Sequence, residues 1–124
     1  SVSTIVCSTI TVCLNNDQKV ISFGWSNRHA HGHKEQNVCS PKIITSLKHI
    51  VSISTFASHS ACLDNERNVF TFGSNEHGQL GIGVDKDTLK STHIPQKVNI
   101  PPCTQISCGN NFTMCLSESG EVYS

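Results

Sequence analysis

Phe72-Gly73-Ser74-Asn75-Glu76-His77-Gly78-Gln79-Leu80-Gly81-Ile82-Gly83 carries four glycines within eleven residues. Each glycine costs about 1 kcal/mol inside a helix or strand, so the cluster marks backbone that needs positive φ or a close approach. The run before it, Val69-Phe70-Thr71-Phe72, has the β-branched and aromatic residues of a strand. The stretch therefore reads as a strand entering a tight, hydrogen-bonded turn. A glycine-rich loop after a strand can also cradle phosphate. That chemistry needs a Lys-Ser/Thr ending or Gly-x-Gly-x-x-Gly spacing at the start of a helix, and neither is present here.

Around this stretch the chain repeats itself. Cys13-Leu14, Cys62-Leu63 and Cys115-Leu116 open three matching segments, 49 and 53 residues apart. Seven residues beyond each cysteine stands Val20, Val69 or Val122, followed by Ser22, Thr71 or Ser124. Phe23-Gly24 and Phe72-Gly73 continue two of the copies, and Ile53 and Ile106 lie nine residues before Cys62 and Cys115. These offsets divide the chain into units at 1–49, 50–102 and a partial 103–124. In each unit, β-type runs flank a polar link: Asn15 to Gln18, Asp64 to Arg67, and Ser117 to Gly120. That is hairpin chemistry. Pro41 and Pro95 each stand before a further β-type run, and no stretch sustains a helical period. Several short strands per unit of about 50 residues predict an all-β chain of antiparallel β-propeller blades; a β-solenoid is the alternative, usually with a shorter period.

The wording of the stretch closely resembles the repeat hallmark of the regulator of chromosome condensation family. Gly-x-Asn-x-x-Gly-Gln-Leu-Gly-x-Gly is met at Gly73, Asn75, Gly78, Gln79, Leu80, Gly81 and Gly83. Phe23 and Phe72 stand where the family usually has tryptophan. The first copy of the hallmark is degraded. Aligned without gaps, it pairs Gly24 with Gly73 and Gly32 with Gly81, and puts His29 in the place of Gly78. A one-residue gap at Trp25 would instead pair Ser26-Asn27 with Ser74-Asn75. The resemblance implies part of a seven-bladed propeller. It also implies two functional classes: a non-enzymatic protein-interaction platform, as in ubiquitin ligases and kinases that carry such repeats, or guanine-nucleotide exchange on a Ran-like small GTPase at chromatin. The plant UV-B photoreceptor branch needs clustered tryptophans, and Trp25 stands alone.

Composition narrows the partners. Nine Lys and Arg balance nine Asp and Glu with no basic cluster, which argues against direct nucleic-acid binding. No apolar run approaches the ~20 residues of a membrane span, and no basic flank of a signal peptide precedes Ser1-Val2-Ser3-Thr4. Seven cysteines without a Cys-x-x-Cys pair, three of them at one repeating position, read as reduced, partly buried thiols in the cytoplasm or nucleus. Asn111-Phe112-Thr113 then reads as a chance match to a glycosylation acceptor.

Candidate sites are few. His29-x-His31-x-His33 has the spacing to meet one Zn²⁺ or Ni²⁺ from one strand face, which makes metal binding a third and lesser function class, but the repeat places these histidines in a turn, where they read as solvent-exposed. The slot shared by Ile10, His59 and Phe112 is a packing position. Trp25 is either an aromatic anchor for a partner or a cap on the core between blades. No catalytic constellation and no cofactor motif can be assembled. An open arc of blades would leave apolar faces and strand edges bare, so self-association, or further blades in a longer chain, is expected.

Overall fold

A computed structural model describes all of residues 1–124 and contains strands and turns only. Three antiparallel sheets follow one another. The first holds β1 (Val2–Cys7), β2 (Ile10–Asn15), β3 (Val20–Trp25) and β4 (Asn37–Ile43). The second holds β5 (Ile50–Phe56), β6 (His59–Asp64), β7 (Val69–Ser74) and β8 (Ser91–Lys97). The third holds β9 (Cys103–Cys108), β10 (Thr113–Ser117) and β11 (Val122–Tyr123). Within each sheet the strands lie in chain order, so every sheet is a simple meander. Pro41 and Pro95 do not precede their strands but lie inside β4 and β8. Both are edge strands, where a residue without an N–H leaves no ladder bond unmade. No helix is long and apolar enough to cross a membrane.

The repeat offsets become spatial equivalences. Ile53 lies opposite Cys62, and Ile106 opposite Cys115. Cys13, Cys62 and Cys115 are all buried, and all seven cysteines are free thiols. The sheets stack face against face. Ile10, Val12, Leu14 and Val20 of the first sheet form one core with Ile50, Ile53, Cys62 and Phe72 of the second. Leu63, Val69 and Val98 of the second meet Cys103 and Cys115 of the third. The middle sheet is thus covered on both faces, and every residue of β6 is buried, whereas no residue of β1 is.

The seams between sheets are backbone hydrogen bonds made twice in the same way. The Ile50 N–H donates to the Gln18 carbonyl at 3.1 Å, and the Cys103 N–H to the Arg67 carbonyl at 2.9 Å. The Asn65 N–H donates to the His49 carbonyl and the Glu118 N–H to the Pro102 carbonyl, both at 2.9 Å. Gln18 and Arg67 reach their positions with φ near +60° and +69°.

Burial sets the chemistry of the thiols. Removal from water pushes Cys108 up to about 11 and Cys115 to about 12, and raises Cys62 further still. Only the thiolate is a competent nucleophile. In the native chain, the exposed Cys7 and Cys39 are therefore expected to react with a disulfide reagent at neutral pH within seconds to minutes. The five buried thiols should react only as fast as the protein opens. Rapid modification of Cys62 or Cys115, located by mass spectrometry, would contradict this core.

Candidate protein-interaction surface

One rim of the sheets gathers the hallmark turns. The β1–β2 and β5–β6 turns meet there, with Thr9 Oγ1 donating to the Ala57 carbonyl at 2.9 Å. The loops at residues 26–36 and 75–90 leave the sheets at the same end. Each leaves through a glycine, Gly24 at φ +119° and Gly73 at φ +109°, next to a shift in strand register. Such a bulge re-aims the chain out of the sheet.

Both loops are then held by one polar side chain. Asn75 Nδ2 donates to the Val84 and Leu89 carbonyls at 3.2 and 3.1 Å, and its Oδ1 accepts the Leu80 N–H. In the first loop, Ser26 Oγ accepts the Ala30 N–H at 3.0 Å. The Ser22 hydroxyl donates to the His31 carbonyl at 2.5 Å, just as Thr71 donates to the Leu80 carbonyl at 2.7 Å. The Gly32 N–H meets the His29 carbonyl, and the Gly81 N–H that of Gly78. These pairs fix the alignment without a gap: Ser26 replaces Asn75, His29 replaces Gly78 and His31 replaces Leu80. His29 accordingly takes φ +62°, beside +78° at Gly78.

The histidines differ from their reading as exposed turn residues. His31 and His33 are buried, and His29 is half-buried. His31 Nδ1 accepts the His33 N–H at 3.3 Å, which leaves Nε2 to donate to the Gln36 carbonyl at 3.2 Å. His33 Nε2 meets the Ser22 hydroxyl at 3.0 Å and His29 Nδ1 lies 3.2 Å from the His33 carbonyl. Their ring nitrogens tie the loop together, and no three His, Cys, Asp or Glu side chains converge as a metal cage would require. Glu35 pairs with Lys42 at 3.0 Å instead. His59 is also buried, with Nε2 at 3.0 Å from Thr113 Oγ1 and Nδ1 without a partner.

Burial lowers the pKa of His31, His33 and His59, each chiefly by desolvation. An unfolded imidazole takes up a proton near pH 6.5, while these remain neutral in the native chain. The unfolded state thus binds more protons below about pH 6.5, and stability falls as pH drops from there toward the depressed native values. Melting temperatures recorded from about pH 7.5 down to about pH 5 should decline below about 6.5. A flat profile would show that these rings are not held neutral.

What the rim offers a partner is mixed charge and bare aromatic surface. Arg28 and Glu76 join the two loops at 2.7 Å and remain well exposed, so the pair is worth about 0–1 kcal/mol in isolation. Trp25, the last residue of β3, is 54% exposed, and Phe56, the last of β5, is 48% exposed. Trp25 therefore does not cap the core between these sheets. Tryptophan is one of the residues enriched among interface anchors.

Comparison with known proteins gives one answer. The regulator of chromosome condensation (RCC1) repeat matches residues 68–116 and, in a second form of the same repeat, residues 50–79. Human protein RCC2 is 32% identical over 123 residues, which cover 95% of this chain and 23% of RCC2. The solved structure of human WBSCR16 superposes with a TM-score of 0.86 at 19% identity, over 98% of this chain and 32% of that one. Prp20p from Saccharomyces cerevisiae, whose structure was determined together with its binding properties to Gsp1p and histones, superposes at 0.84 with 20% identity. It too is matched over 98% of this chain and 32% of its own. The chain spans about a quarter of the length of the curated relatives it matches. The likeness to the solved structures establishes the β-propeller fold, with the first two sheets as blades and the third as part of one.

Proposed function

The chain belongs to the regulator of chromosome condensation repeat family, and from that premise we propose that it is a non-enzymatic protein-interaction module acting in the nucleus or cytoplasm. The observation that carries this reading is the rim. Two exposed aromatics, Trp25 and Phe56, stand on strand ends beside loops fixed by buried side chains. A surface of this kind binds without paying to order itself. The zero formal net charge favours a protein partner over a nucleic acid. Guanine-nucleotide exchange on a Ran-like GTPase is the second reading, favoured by the likeness to Prp20p and its binding to Gsp1p.

One experiment separates the two. Release of labelled guanine nucleotide from a panel of small GTPases is followed with and without the chain. Alongside it, partners enriched by the chain are compared with those enriched by a Trp25→Ser, Phe56→Ser double variant of unchanged melting temperature. An interaction module leaves release rates unchanged and loses its partners in the double variant. Accelerated release from any one GTPase would replace this reading with the exchange reading.

A further inference from the structure

Pro41 and Pro95 sit in a bulge that recurs in the outer strands of the first two blades. In β8, Thr92 lies opposite Gly73 and Gln96 opposite Thr71, so His93, Ile94 and Pro95 face the single residue Phe72. In β4, Val38 lies opposite Gly24 and Lys42 opposite Ser22, so Cys39, Ser40 and Pro41 face Phe23 alone. Each bulge ends in its proline, whose ring keeps the residue before it extended.

The two bulges differ in what ties them down. In β8, Thr92 Oγ1 accepts the Ile94 N–H at 3.1 Å. The Ile94 carbonyl accepts from Thr92 Oγ1 at 3.2 Å and from Gln96 Nε2 at 3.1 Å. In β4 the places of Thr92 and Gln96 are taken by Val38, which has no hydroxyl, and Lys42, whose Nζ is on Glu35 at 3.0 Å. Cys39, Ser40 and Pro41 are all exposed, and the Ser40 hydroxyl bonds to no other group of the chain. The openness belongs to the position. Ile94, in the place of Ser40, is 53% exposed in the blade that has neighbours on both faces.

The residues at this untied bulge carry a chemical mark. Ile94, Ile100 and Pro101 precede the other three prolines, so Ser40-Pro41 is the one hydroxyl residue followed by proline in the chain. A serine before proline is what one class of protein kinase reads. The pocket of such an enzyme for the residue after the acceptor offers nothing to a backbone N–H. Proline enters it where any other residue would bury an unpaired donor.

We propose that Ser40 is a phosphorylation site for a proline-directed serine/threonine kinase, with ATP as the phosphoryl donor. Ser40 Oγ forms a bond to the γ-phosphorus, and the bond from that phosphorus to the bridging oxygen breaks as ADP leaves. The hydroxyl proton passes to a carboxylate base of the kinase. The product brings about −1.5 to −2 charges to an outer strand of a chain whose formal net charge is zero. An arginine-bearing partner would then find a phosphate to pair with only in the modified chain. The site uses no residue of the rim and stands without the rim reading.

In the test, the 124-residue chain is incubated with Mg²⁺, ATP and a purified proline-directed kinase. Intact-mass spectrometry counts the phosphoryl groups and fragmentation places them. One group per chain is expected, on Ser40, and none in Ser40→Ala. Pro41→Ala should slow the transfer about tenfold or more, since its N–H would enter the kinase pocket unpaired. Both substitutions fall on exposed residues, and circular dichroism checks that the variants are folded. A synthetic peptide with the sequence of residues 36–44 sets the reference rate, and its alanine-for-proline form carries the comparison if Pro41→Ala does not fold. The folded chain should be modified within about tenfold of the peptide, because a site that needs opening is slowed by the rarity of the open state. Transfer to the peptide but not to the folded chain would mean that the bulge is closed, and overturns the proposal. So does transfer to neither, transfer that persists in Ser40→Ala, or an equal rate with alanine in place of the proline.

Discussion

Gly73→Ala is expected to destabilise the chain by roughly 4 kcal/mol, close to the whole stability of a small domain. Two costs add. At φ +109° an L-residue is strained by about 1–3 kcal/mol. The new methyl would also stand 2.5 Å from the Ser58 carbonyl oxygen, 2.7 Å from His59 Cα and 3.2 Å from Ala30 Cα. All three are backbone atoms, so no side chain can swing aside, and overpacking of this kind costs a further ~1–3 kcal/mol. Gly78→Ala is the control: it also has positive φ, but nothing lies within 4 Å of the added carbon, and it should lose only about 1 kcal/mol. Urea unfolding of the two variants gives the comparison. Equal midpoints would mean that the bulge at Gly73 is not the tight approach described.

Phe72→Ala should cost about 3–5 kcal/mol. The ring is fully buried and belongs to the core shared by the first two blades, so its loss opens a cavity between sheets. The expected signature is a large fall in the unfolding midpoint together with new binding of an apolar dye. Phe112→Ala removes a ring that is 48% exposed and should shift the midpoint far less. If the two variants unfold together, Phe72 is not the plug between blades.

Much of this architecture was legible in the residues. The recurrence of Cys13, Cys62 and Cys115 gave the blade period because a small buried side chain is needed at the same point of every sheet. The seven matched positions of the second hallmark located the turn, and Asn75 and Gly73 have the strict geometric duties that make such positions recognisable. The first hallmark was harder. Ser26 does the work of Asn75 with a shorter side chain, and His29 accepts a backbone angle better suited to glycine. The burial of His31 and His33 was missed because histidine in a turn reads as exposed. A signal for His31 was nevertheless available in the gapless alignment, which puts it in the place of the apolar Leu80. The seating of Pro41 and Pro95 inside β4 and β8 was invisible, because edge position is a property of the assembled sheet.

The bonds that join one blade to the next bear on how such a chain changes over evolutionary time. They run between main-chain atoms, from Ile50 to Gln18 and from Cys103 to Arg67, and so are indifferent to the side chains at those positions. Glutamine and arginine already occupy the same seat in two blades of one molecule. A residue that accepts the positive φ of Gln18 and Arg67 can be exchanged at these junctions without loosening them. Proteins that share only 19–20% of their residues with this chain can therefore keep its path almost unaltered.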